Sequence, residues 1–140
     1  MNSGPILLVE DNPQDELLTL RALNKSGIGN RVDVVRDGQQ ALDYLLGEQD
    51  PPMELPIVVL LDISLPRLSG LEVLGQLRQH PRTKLLPVVI LTSSDEPADR
   101  LRSYVNGANS FVRKPVEFAE FANTVARLGL YWVATNQPAT

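Results

Sequence analysis

Three observations predict a doubly wound α/β domain built on a five-stranded parallel sheet of order 2-1-3-4-5 with five helices. Short β-branched runs bounded by turn residues alternate with helix-like segments along the whole chain. The strongest runs are apolar at every position rather than at alternate ones, as strands covered on both faces require. Five strands separated by five helices need crossover connections, which place helices on both sides of one sheet.

Each element has its own signal. Pro5-Ile6-Leu7-Leu8-Val9 is the first strand, and Asn12 followed by Pro13 supplies an N-cap and a first-turn proline, with Leu17, Leu20 and Leu23 as the apolar stripe behind them. Arg31-Val32-Asp33-Val34-Val35 mixes charge with valine and suits an edge strand. Asp37-Gly38 opens a helix carrying Ala41, Leu42 and Leu45, and the proline-rich stretch from Gly47 to Pro56 reads as a solvated loop. After the third strand, Ile57-Val58-Val59-Leu60-Leu61, the spacing Ser69-Gly70-Leu71-Glu72 is a capping box opening a helix with Val73, Leu74 and Leu77. Val88-Val89-Ile90-Leu91 is the fourth strand, Pro97 to Asn106 a helix stopped by Gly107, and Ser110-Phe111-Val112-Arg113 the fifth strand.

The last helix is predicted from about Glu117 to about Val133, with a tail from about 134. At 100° per residue, Phe118, Phe121, Ala122, Val125, Leu128 and Trp132 share a stripe that docks on the sheet. Ala119, Ala126, Leu130 and Val133 fall on the adjoining face and widen the apolar arc to roughly 200°. That excess predicts a homodimer through the last helix.

Composition removes several function classes. At 140 residues, 43% hydrophobic and 21% charged, the chain matches one ordinary globular domain spanning 1–140. No apolar run approaches the ~20 residues of a membrane span, and Met1-Asn2-Ser3-Gly4-Pro5 lacks signal-peptide features, so a cytoplasmic chain without membrane contact is expected. With no cysteine and one histidine, His80, disulfides, thiolate metal sites and histidine-rich zinc sites are excluded. Thirteen basic against seventeen acidic residues, a net charge of −4, argue against nucleic acid as a partner. Only the short tail from about 134 follows the last helix, so no output domain is expected.

In open parallel sheets ligands bind beyond the carboxyl ends of the strands. There the first strand delivers Glu10-Asp11, the third Asp62, the fourth Thr92-Ser93-Ser94, and the fifth Lys114-Pro115. With the order 2-1-3-4-5, Glu10, Asp11 and Asp62 converge in one crevice. Three adjacent carboxylates need a counter-charge, and Mg2+, which prefers carboxylate and phosphate oxygens, meets that need. Lys114 adds a movable positive charge.

These residues resemble the receiver domains of two-component response regulators, which share the flavodoxin-like fold. The matching motifs are Val9-Glu10-Asp11-Asn12, Asp37-Gly38, Leu61-Asp62-Ile63-Ser64-Leu65-Pro66 with Ser69-Gly70, Leu91-Thr92-Ser93, Asn106-Gly107-Ala108 and Lys114-Pro115. Their order and spacing together are specific where each alone is weak. The resemblance implies that Asp62 is the phosphoacceptor, that Asp11, Asp62 and the Ser64 backbone carbonyl hold Mg2+, and that Glu10 acts through a water. It also implies that Thr92 and Lys114 bind phosphoryl oxygens, that Thr92 and Phe111 form the switch pair, and that Pro115 follows a cis peptide. Two departures stand out: Phe111 lacks the hydroxyl of the frequent tyrosine, and Ser64 is small and neutral at a position that governs water access.

By the same resemblance the protein is a signalling receiver that catalyses only its own phosphoryl transfer and dephosphorylation. His80 sits beside Pro81 at a helix end, so a separate sensor histidine kinase must supply the phosphoryl group. The long loop before the third strand and the Leu130-Tyr131-Trp132 ending resemble the small single-domain regulators paired with bacterial phytochrome histidine kinases. Three alternatives stay open. A Mg2+-dependent phosphatase of the haloacid dehalogenase type needs a second aspartate where Ser64 stands. A flavin carrier needs a phosphate loop where Glu10-Asp11-Asn12-Pro13 would repel it. A phosphorylation-independent scaffold would not need the complete residue set.

Overall fold

The computed structural model describes residues 2–47 and 54–139. Its elements are β1 (Ile6–Val9), α1 (Pro13–Lys25), β2 (Val32–Val35), α2 (Gly38–Leu46), β3 (Val58–Leu61), α3 (Gly70–Gln79), β4 (Val88–Thr92), α4 (Pro97–Val105), β5 (Ser110–Arg113) and α5 (Phe118–Leu130), followed by a π-helical turn at Tyr131–Thr135. The strands form one parallel sheet of order β2-β1-β3-β4-β5, as the sequence predicts. Residues 48–53 of the proline-rich loop lie outside the described residues.

Strand side chains alternate between two cores. Ile6, Leu8, Val58, Leu60, Val89 and Leu91 face α1 and α5, where they meet Ala22, Leu23, Phe121 and Val125. Leu7, Val9, Val59, Leu61, Val88 and Ile90 face the other way, against Ala41, Leu45, Val73 and Leu77 of α2 and α3. The three central strands are buried throughout, which is why they carry no polar alternation.

The predicted caps form. Asn12 Oδ1 accepts from the amides of Gln14 (2.9 Å) and Asp15 (3.1 Å), Asp37 Oδ1 from Gln40 (2.7 Å), and Ser69 Oγ from Glu72 (3.2 Å). Gly107, with φ 100°, takes the left-handed conformation after α4. The structure corrects the stripe on α1, where Leu17 is exposed while Thr19, Ala22 and Leu23 are buried. Residues spaced by three lag 60° per step, so Leu17, Leu20 and Leu23 spread around the helix instead of stacking.

The last helix is corrected too. Its α-helical part stops at Leu130 and the π-turn carries the chain to Thr135, one residue beyond the predicted start of the tail. The i+5 bond from the Asn136 amide to the Tyr131 carbonyl (2.7 Å) changes the rotation per residue, and Val133 turns inward to 1% exposure. Asn2 fixes this turn through its amide on the Val133 carbonyl (2.8 Å) and its Nδ2 on the Trp132 (2.9 Å) and Asn136 (3.0 Å) carbonyls. Phe118, predicted to dock, is 61% exposed.

One glycine is fixed by close approach. A Cβ on Gly70 would lie 2.1 Å from the Asp62 carbonyl oxygen, because α3 starts directly against the end of β3. Gly70→Ala is expected to lower stability by about 1–3 kcal/mol, the usual cost of overpacking, measured as a reduced urea midpoint with an unchanged slope.

Candidate functional site

The register brings the strand ends level. Val9 of β1 pairs with Leu61 of β3, and Leu61 pairs with Ile90 of β4, so Glu10 and Asp62 follow adjacent strands at the same height. Glu10, Asp11 and Asp62 offer carboxylate oxygens that all lie within 4.8 Å of one another. Glu10 and Asp62 are buried at 2% and 6% exposure, while Asp11 is exposed at the mouth. Glu10 is held in place by the Asn12 amide, which donates to its Oε2 at 3.2 Å.

Lys114 enters from β5. Its amide donates to the Thr92 carbonyl (2.7 Å), which continues the β4–β5 pairing and sends the side chain into the crevice. Its Nζ donates to Glu10 Oε1 (2.5 Å), Asp62 Oδ2 (2.8 Å) and Asp15 Oδ2 (2.9 Å). The second Asp62 oxygen accepts from the Ser64 amide at 3.0 Å. The Asp62 carboxylate thus has one oxygen on an ammonium and one on the backbone.

Asp15 was not among the sequence-predicted residues. Acidic residues in a first helical turn are usually explained by the helix dipole, and that hides a role in the crevice. The available signal was the Asn12 cap, which starts α1 at the end of β1 and so sets its first turn beside the strand ends.

The other predicted residues are placed less centrally. Thr92 is fully buried at the end of β4, and its Oγ1 accepts from the Ser94 amide at 3.4 Å. Ser94 Oγ in turn donates to Asp99 Oδ2 of α4 at 2.6 Å. Phe111 is half-buried against the α2–α3 core and pairs with Ile90, two positions before Thr92. Ser64 is exposed and Pro115 half-buried. His80 is exposed at the end of α3, with Nδ1 accepting from the Arg82 amide at 3.1 Å, away from the crevice.

The electrostatics follow from burial. Desolvation pushes the Glu10 carboxyl from 4.5 up to about 7, although its hydrogen bond from Lys114 opposes the shift. Desolvation alone would lower the Lys114 pKa, but hydrogen bonds to Asp62 and Glu10 more than reverse it, so the ammonium is held above its ordinary value. The crevice is therefore an acidic pocket around one locked cation.

Fold and site together define a doubly wound α/β domain with acidic residues and a lysine gathered at the strand ends. The response regulator receiver domain family matches residues 6–126, and the chain belongs to it. The probable methanogenesis regulatory protein FilR2 of Methanothrix harundinacea is 41% identical over 132 residues, covering 94% of this chain and 85% of that protein. The response regulator Rcp1 of Synechocystis sp. is 34% identical over 132 residues, 93% of this chain and 89% of its own. The crystal structure of its Mn(2+)-bound form superposes with a TM-score of 0.89 at 31% identity, covering 97% of this chain and 99% of that one. The bacteriophytochrome response regulator RtBRR is 50% identical, with a TM-score of 0.75 over 99% of this chain and 84% of that one.

The raised Glu10 pKa predicts a pH dependence. A carboxyl whose folded pKa lies above its unfolded value adds stability that is complete below about 4.5 and is lost as pH rises through about 7. In EDTA, the melting temperature of the wild type relative to Glu10→Gln is expected to fall by a few degrees between pH 5 and 7.5. A constant difference across that window contradicts the shift.

Proposed function

We propose that the protein is a phosphorelay receiver whose Asp62 accepts a phosphoryl group from a sensor histidine kinase. The observation that carries this reading is the buried Asp62 carboxylate, bonded to Lys114 Nζ (2.8 Å) and the Ser64 amide (3.0 Å) beside Glu10 and Asp11. An Asp62 oxygen attacks phosphorus in line. The P–N bond of the donor phosphohistidine breaks, and its electron pair leaves with the imidazole, which takes a proton from solvent. His80 is exposed and distant, which supports a donor on another protein.

The donor set fits a hard divalent cation, since it consists of carboxylate oxygens with one exposed member, Asp11. In this reading Asp11 and Asp62 bind Mg2+ directly, Ser64 contributes its backbone carbonyl, and Glu10 contributes through a water. When bound, Mg2+ supplies neutralising charge for the phosphoryl oxygens. The Thr92 hydroxyl donates to one of those oxygens and Lys114 to another, and Thr92 with Phe111 relays the change to α4 and β5. A haloacid-dehalogenase-type phosphatase is disfavoured because the residue two positions after Asp62 is Ser64, which has no titratable proton to deliver.

The protein's only chemistry in this reading is its own phosphorylation and dephosphorylation, in the cytoplasm. No helix among the described residues is long and apolar enough to cross a membrane. A phytochrome histidine kinase is the proposed donor, on the strength of the 50% identity to RtBRR. Self-association through the last helix is retained on a smaller patch: Leu130 and Tyr131 are 45% and 48% exposed, whereas Val133 has left that face.

Three results are expected. Acetyl phosphate or the phosphorylated kinase labels the wild type only with a divalent metal, and Asp62→Ala abolishes the added mass. Lys114→Ala still binds Mg2+ but does not show the phosphorylation-dependent change in self-association or partner binding. In sedimentation, Leu130→Glu shifts a dimer toward monomer while Asp62 labelling persists; a wild type monomeric in every state refutes the dimer.

A further inference from the structure

We propose that Asp15 competes with the phosphoryl group for Lys114 and so sets how readily Asp62 becomes phosphorylated. This rests on the reading of Asp62 as the acceptor. An ammonium has three N–H donors, and in the resting protein all three are engaged, by Glu10, Asp62 and Asp15. A phosphoryl group on Asp62 brings about two negative charges and three acceptor oxygens to a place where Lys114 had met one carboxylate oxygen. Lys114 can meet more than one of them only by releasing a carboxylate.

Burial decides which carboxylate gives way. The side chains of Glu10 and Asp62 are 2% and 7% exposed, against 27% for Asp15. Glu10 released from Lys114 would keep only its hydrogen bond from the Asn12 amide and would be a buried carboxylate without a counter-charge, a costly state. Asp15 released from Lys114 meets water, and it lies in the first turn of α1, where the helix dipole favours a negative charge. Asp15 is therefore the exchangeable contact. While it stays, it occupies one donor and places a further negative charge beside the incoming phosphoryl group. Asp15 is a positioning residue in this scheme, because it acts through Lys114.

Asp15→Asn keeps the shape and removes the charge, whereas Asp15→Ala removes the contact. Glu16→Gln is the control: it removes a charge one residue away, on a carboxylate paired with Arg36 rather than Lys114. Full-length proteins are incubated with limiting acetyl phosphate and saturating Mg2+. In this reaction the phosphorus–oxygen bond to acetate breaks as the bond to Asp62 forms, and acetate leaves with the electron pair and needs no proton. Intact mass follows the rate, and calorimetry gives the Mg2+ affinity.

Both Asp15 variants are expected to be phosphorylated about three- to tenfold faster than the wild type, with Mg2+ affinity within about twofold and Glu16→Gln at the wild-type rate. A gain in rate is a result that mere structural damage does not give. Unchanged or slower phosphorylation in both variants overturns the proposal, as does an equal gain in Glu16→Gln, which would mark a general charge effect. A large loss of Mg2+ affinity in Asp15→Asn also overturns it, by placing Asp15 in the metal site. A wild type that takes no phosphoryl group, or an Asp62→Ala variant that still does, defeats the reading of Asp62 itself; the earlier outcomes leave that reading standing.

Discussion

The structure turns on one buried cation. Lys114 is 7% exposed and survives there because three carboxylates surround its ammonium. Glu10 and Asp62 both depend on it, since two carboxylates this close and this buried repel each other without a counter-charge between them. The contacts join β1, α1, β3 and β5, so one charge ties together residues separated by 52, 99 and 104 positions. Such a network is stable at rest and sensitive to any new charge added to it.

The hydrophobic sandwich makes the network possible. Strands of four or five residues, buried on both faces, end at a common level because their pairing is in register. Burial of the strands is non-directional, whereas the backbone ladder fixes height. Together they deliver polar residues to one rim, and Thr92 at the end of β4 is the single polar residue within the three central strands. Gly70 completes the arrangement by letting α3 start against the Asp62 carbonyl.

The opposite end of the sheet is pinned differently. The Arg78 guanidinium donates to the carbonyls of Thr83 (3.1 Å), Leu86 (2.7 Å) and Gly107 (2.9 Å) and to Asn109 Oδ1 (2.9 Å), and burial lowers its pKa. This staple joins α3 to the loops that precede β4 and β5. Asn2 does the same for the π-turn after α5. Loops at that end are thus fixed to backbone, while those at the crevice end are fixed to a charge that chemistry can alter. On α4, by contrast, Leu101, Tyr104 and Val105 are exposed, so the helix next to the Thr92–Ser94–Asp99 chain is lightly held.

By itself the sequence determined whatever depends on local pattern. The strands follow from β-branched runs, the helix starts from Asn12, Asp37 and Ser69, and the sheet order placed Glu10, Asp11, Asp62 and Lys114 together, because a parallel sheet sends every strand end to the same rim. Only the tertiary structure decided features that depend on rotation about a helix axis or on unlike residues meeting in space. Leu17 is exposed because phase differences accumulate along α1, Phe118 is exposed because it is the first residue of α5, and Val133 is buried because a π-turn resets the phase after α5. Asp15 became visible only when Lys114 reached it across 99 residues, since nothing local separates a dipole-capping aspartate from one that holds a buried ammonium.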